Sequence, residues 1–296
     1  MRVAFVVFCL IGVMVVVNAA IPQDQEDVRG AFLTSRPKEK PSTQTAPAKA
    51  NRRRPKPNGP VSGTGGGKNT NTPSDSSGDK TDPVVVNKAR IGLGLTLFTR
   101  DSNGLAVRTD PTRVFHKGDR VRVLLETNTD GFLYIFNTTD DGQPIMIYPD
   151  VNLDEAGNYL QAHVPFEIPS SAGAHEGLRW LVFDDHAGDE KLYFVFTREP
   201  LNGVPIEDDL VNFCKASSSA CPLRPAAELW EMVKKQLKQP LQTDQTARFG
   251  KAQTARETEA STRGLGLAKD DPQPAVIMMA SSMSPTLVTT LDLVHQ

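Results

Sequence analysis

Residues 114–150 read "VFHKGDRVRVLLETNTDGFLYIFNTTDDGQPIMIYPD". Three runs rich in β-branched and aromatic residues, 120–127, 131–137 and 143–148, are set apart by turn-forming clusters, the pattern of strands with tight connections. "NTDG" at 128–131 and "TDDG" at 139–142 each put Gly directly after Asp, where a hairpin needs positive φ, so both are expected to be hairpins. In the middle run Phe132, Tyr134 and Phe136 share one side and Leu133 and Ile135 the other. A strand apolar on both sides needs cover on both.

Similar runs extend outward at 90–98, 158–168, 178–184 and 191–197, with no helical pattern between them. Short, evenly spaced strands of this kind predict a mainly β fold, an antiparallel immunoglobulin-like β-sandwich over 84–213. The missing cover is expected from "PAAELWEMVKKQLKQP", residues 225–240, where Ala226, Leu229, Trp230, Val233 and Leu237 form one helical stripe bounded by Pro225 and Pro240. Residues 241–274 lose periodicity and are expected to be mobile. The terminus turns apolar at 275–282 and 286–296, which predicts two strands returning to the sheet, the last one covering an open edge.

The N-terminus has a different character. Arg2, an apolar run from Val3 to Val17, and Ala19 and Ala20 have the layout of a secretory signal peptide, residues 1–19. Cleavage after Ala19 places Val17 and Ala19 at the positions a signal peptidase reads; cleavage after Ala20 is the alternative. The run is short for a membrane span, so an exported chain with no transmembrane span after cleavage is expected, in the periplasm, at the envelope or outside the cell. Export permits Cys214 and Cys221 of "CKASSSAC" to form a disulfide within a segment 214–240 that also holds the helix. From Thr34 to Pro83 only Val61 is a large apolar residue, so 20–83 is expected to be a disordered Pro/Gly/Ser-rich linker.

The total charge of −2 hides two opposite regions. Residues 34–83 carry ten basic against four acidic residues, and 84–213 carry eleven against twenty. "NRRRPKP" at 51–57 reads either as solvated linker or, through Arg52, Arg53, Arg54 and Lys56, as a grip on an anionic surface: cell-wall polymer, lipid phosphate or the protein's own acidic domain. Export together with an acidic domain argues against nucleic acid.

Motifs for chemistry are incomplete. "SGTGGGKN" at 62–69 lacks the first Gly and the final Ser or Thr of a phosphate-binding loop. Asn137, Thr139, Asp141 and Gly142 open like a calcium loop, yet Tyr148 stands where a bidentate Glu is required. "HEGLR" at 175–179 lacks a second His one turn on, and "DDHAGDE" at 184–190 reads as a solvated turn. No catalytic residue, metal ligand or cofactor is assigned. His163, Glu167, His175 and Asp184 are the raw material for an alternative small-ligand or metal-dependent hydrolytic site, and a purely structural spacer is a third reading.

"VFHKGDRVRV" (114–123), "TDGFLYIFN" (129–137), "IYPD" (147–150), "FEIP" (166–169) and "EKLYFVFTREPL" (190–201) resemble a bacterial family described as domain of unknown function 4384. The similarity spans about residues 90–201. It implies a β-sandwich in envelope or multidomain signalling proteins and carries over no catalytic residue. The first expectation is therefore a non-catalytic, envelope-associated module that binds an envelope protein or anionic cell-wall polymer.

Overall fold

The computed structural model describes residues 27–38, 53–54, 90–152, 157–216, 221–246, 248–281 and 284–296. The leader with Ala19 and Ala20, and the arm residues Arg52 and Lys56, lie outside the described residues. No helix among the described residues is long and apolar enough to cross a membrane.

Two antiparallel sheets form a β-sandwich. The first has the spatial order β10 (Gln242–Gln245), β11 (Val276–Met279), β1 (Gly92–Arg100), β3 (Arg120–Thr127) and β7 (Phe166–Ile168). On this sheet β2 (Ala106–Arg108) pairs with β1, and β8 (Leu181–Val182) with β3. The second runs β12 (Thr286–His295), β9 (Gly188–Thr197), β4 (Gly131–Thr139) and β5 (Ile145–Tyr148), with β6 (Tyr159–Leu160) on β4. The C-terminal stretch thus supplies one strand to each sheet, and β12 forms an edge of the second.

Alternation along the strands decides the core. Val121, Val123 and Leu125 of β3 and Leu93, Leu95 and Leu97 of β1 face Leu133, Ile135, Phe194 and Phe196 of the second sheet. The opposite faces of those strands are covered too. Phe132, Tyr134 and Phe136 lie under α2 (Glu207–Ala216) and α3 (Ala227–Leu237). Trp230 of α3 meets Phe136 and Tyr193 edge-on at 5.9 and 4.7 Å, and Val233 is fully buried. This is the cover that the stripe in 225–240 predicts. The Cys214–Cys221 disulfide, with Cα atoms 5.5 Å apart, joins α2 to the chain leading into α3.

The fold departs from the sequence reading at three places. "TDDG" is a type I′ hairpin turn, with Asp140 and Asp141 at φ 50° and 51° and Gly142 N–H donating to the Thr139 carbonyl at 2.9 Å. "NTDG" is not a hairpin, because β3 and β4 belong to different sheets. Its side chains fasten other strands instead: Asn128 Oδ1 accepts from Gly92 N–H at 2.7 Å, and Asp130 accepts from Ala162 N–H at 2.8 Å and from the Tyr159 hydroxyl at 2.9 Å. Gly131 serves close packing, since a Cβ there would run into the Thr197 carbonyl.

Burial, followed by the hydrogen bond to Asp130 and its charge, pushes the Tyr159 phenol up to about 12. A raised phenol favours folding fully below its ordinary value near 10, and that contribution is lost as pH rises through about 12. In an ultraviolet titration of wild type against Tyr159→Phe, the phenol absent from the variant is expected to ionise near pH 12. Asp130→Asn is expected to bring it back toward 10, and no change in Asp130→Asn would sever the link to that carboxylate.

The other two departures lie on the outer face of the first sheet. Residues 241–274, expected to be mobile, contain β10 and α4 (Ala255–Arg263), and the stretch expected to be linker contains α1 (Val28–Thr34). Thus four α-helices, not one, are present among the described residues. α4 starts with a capping box between Thr254 and Glu257 and ends at Gly264 with φ 68°, a local start signal and a local stop signal. α1 buries Val28 and Phe32 against Ile277 and Met279. Two glycines of β1 make room for this cover: a Cβ on Gly92 would stand 2.8 Å from Phe32, and one on Gly94 would collide with Pro274.

Candidate functional site

Polar residues on a core-facing register are the first clue to a site. Along β4, Leu133 and Ile135 point into the sandwich, and Asn137 follows in the same phase. It lines an open cavity of about 290 Å³ between β8 of the first sheet and β4, β9 and β12 of the second. Val121, Leu181, Val182, Phe183, Leu192 and Leu293 give it an apolar wall, while Asn137, Asp184, Glu190 and His295 are its polar members. Phe183 is held between Phe115, stacked at 4.9 Å, and the His295 ring at 5.0 Å. Val182 at the mouth is 51% exposed.

The hydrogen bonds leave this slot with one unmet acceptor. Asn137 Nδ2 donates to Glu190 Oε2 at 2.9 Å, and Thr139 Oγ1 donates to Glu190 Oε1 at 2.9 Å. The carboxylate fixes the amide orientation, because it would repel the amide oxygen. Asn137 Oδ1 is thereby buried without a hydrogen-bond partner among the described residues. Such an acceptor costs about 1–3 kcal/mol until a donor reaches it. An apolar group that enters the slot meets Asn137 and Glu190 at its polar end.

At its rim, the fully exposed Asp184 accepts from His186 N–H at 2.8 Å, and this bond holds its carboxyl below the usual range. Asp184, Asp185 and His186 have ligand atoms within 4.8 Å of one another, all of them exposed. Their geometry is that of a charged turn, the ordinary outcome for "DDHAGDE".

The four residues of the hydrolytic alternative do not come together as a ligand group. His163 is buried, with Nδ1 2.7 Å from Glu126 Oε1 and Nε2 2.7 Å from Ser35 Oγ. Glu167 is buried beside Gln253 and accepts from Ser171 N–H at 3.0 Å. His175 is exposed before the short 3-10 turn Glu176–Arg179, and Asp184 stands at the slot.

The order Ser35, His163, Glu126 is that of nucleophile, base and acid, but its surroundings make it a clamp. Arg36 donates to both Glu126 oxygens, at 2.8 and 2.6 Å, and to the carbonyls of Ala268, Asp271 and Pro272, each at 3.0 Å. Ser35 Oγ also donates to the Phe32 carbonyl at 3.0 Å, so its single proton has a second acceptor. The Phe32 ring sits edge-on to the imidazole at 5.6 Å. Together these contacts seat α1 on the sheet.

Two of the basic residues picked out in the arm are placed. Arg53 donates to Asp208 Oδ1 at 2.9 Å, and Arg54 N–H donates to Glu207 Oε1 at 2.7 Å. Both acceptors are in the first turn of α2.

Sequence reasoning passes over the slot because it takes Asn137 for its motif spacing and not for its phase on the strand. The signal that reveals it is its phase with Leu133 and Ile135. No curated protein and no solved structure matches the chain. A family does match its centre: residues 114–200, from the turn before β3 to just past β9 and so including Asn137, Leu181 to Asp184, Glu190 and Leu192 of the slot, fit the family model described as Domain of unknown function (DUF4384).

Proposed function

We propose that the protein is an exported, non-catalytic, envelope-associated binding module. In this reading the slot between the sheets receives an aliphatic or aromatic side chain of an envelope partner, which brings a donor to Asn137 Oδ1. The carrying observation is the open, mostly apolar cavity whose wall includes Asn137 with its unpaired buried acceptor, because pockets of this kind orient ligands with a few polar groups. The basic arm, through Arg52, Arg53, Arg54 and Lys56, adds weak attachment to anionic polymer or surface. The Cys214–Cys221 bond fits an oxidising compartment outside the cytoplasm.

The test is capture from native envelope extract with three baits: residues 20–296, the same chain lacking 39–83, and Leu181→Trp, which fills the slot. The deletion starts after Lys38 so that α1 and Arg36 stay in place. One component is expected on the first two baits, weakened about tenfold or more by Leu181→Trp, as expected when a central contact pocket is lost. If no retained component depends on the slot, the slot reading is wrong. Any arm-dependent part is expected to fall as salt rises.

A further inference from the structure

The first turn of α2 contains Glu207, Asp208 and Asp209. A helix N-terminus offsets roughly half a negative charge, so three carboxylates leave this corner able to accept a cation. Acidic residues in a first turn are common, and alone they would mean nothing. Here the corner is occupied: the Arg53 guanidinium is on Asp208, and the Arg54 backbone N–H is on Glu207. The second contact matters more. A main-chain donor on a carboxylate fixes which residue of the segment sits at the site, which charge attraction by itself does not do. Opposite charge balances of arm and domain point the same way.

We infer that the first turn of α2 is a docking site for an arginine-bearing segment, occupied by the chain's own Arg53 and Arg54, and that a phosphate-bearing polyanion competes with Glu207 and Asp208 for those arginines. The inference rests on the attachment role proposed for the arm and adds its regulation. Exposed ion pairs are individually weak. The tether offsets this weakness, because a covalent connection makes the docking intramolecular and raises the segment's effective concentration at its site. A polyanion presents many charges at once and so displaces a contact of this strength. Away from such a surface the arm is stored on its own domain; beside one it is released to bind.

Two readouts on residues 20–296 test the docking and the competition separately. The first is the rate at which trypsin cuts the Arg53–Arg54 bond, whose two residues make the contacts; Pro55 protects the next bond. Glu207→Gln with Asp208→Asn is expected to speed cleavage about two- to fivefold at low salt, the range for losing weak exposed pairs. Asp209→Asn with Glu228→Gln, which removes as much charge, is expected to leave it unchanged. Equal rates in wild type and E207Q/D208N would overturn the docking.

The second readout is affinity for soluble polyphosphate and for vesicles of phosphatidylcholine and phosphatidylglycerol. E207Q/D208N is expected to bind about two- to fivefold more tightly than wild type, and the charge-matched control is not. Gain on vesicles assigns a lipid surface as the competitor, and gain on polyphosphate alone assigns a free polymer. Faster cleavage with no binding of either probe would uphold the docking, overturn the competition and remove the attachment role of the arm, while leaving the slot untouched.

Discussion

Replacing Arg36 by methionine is expected to lower the unfolding free energy by about 3–5 kcal/mol, the cost of leaving one member of a buried ion pair without the other. The Arg36 side chain is fully buried and that of Glu126 is 3% exposed. Arg36 contacts both carboxylate oxygens and three main-chain carbonyls of the stretch 268–272. Without it, Glu126 keeps only His163, and three carbonyls each lose one donor. The double variant Arg36→Met/Glu126→Met removes the stranded charge and is expected to recover part of the loss, since apolar pairs often substitute for buried ionic ones. Urea denaturation of both variants decides the matter. A loss under about 1 kcal/mol in Arg36→Met would be the value of a surface pair and would mean that residues 27–38 are not seated on the sheet in solution.

How much of this could be read beforehand depends on range. The sandwich was legible because alternation is local: Leu133 and Ile135 against Phe132, Tyr134 and Phe136 announces a strand covered on both faces. The stripe Leu229, Trp230, Val233 announces the cover, and it lies there. α1 and α4 announce much less. Each is fastened by an ion pair whose partners stand 90 and 149 positions apart, Arg36 with Glu126 and Arg108 with Glu257. Hydropathy cannot show a helix docked through a charge, and in "TARETEASTRG" only the capping residues gave a hint. The basic character of the arm is plain in the sequence, and the protein's own domain is one anionic surface within its reach, but the acceptor turn on α2 cannot be chosen without the fold. Asn137 was within reach, since its phase on β4 is a matter of counting by two.

Glu257→Ala is the second large effect, about 3–5 kcal/mol again, for a reason that differs in one respect. Glu257 accepts from Arg108 with Oε1 and from Thr254 N–H with Oε2 at 2.9 Å, so one side chain serves both a buried pair and the cap of α4. Its removal costs the reciprocal half of the capping box, the bond from Thr254 N–H, about 0.5–1.5 kcal/mol, and leaves the Arg108 guanidinium buried over the Phe98 ring, 5.3 Å from its centroid, without an anion. Glu257→Gln separates the two losses, because an amide oxygen still accepts from the cap while the charge is gone; its cost is expected to be smaller, about 1–3 kcal/mol. Hydrogen exchange locates the damage: amides of 255–263 are expected to lose protection in Glu257→Ala while those of β4 and β9 keep theirs. If instead protection falls evenly across both sheets, α4 is part of the same cooperative unit as the sandwich. Its charged seat then stabilises the whole fold, and the outer face of the first sheet, with Arg108 and Glu126 buried where a simple sandwich would expose them, is a second core held together by ion pairs.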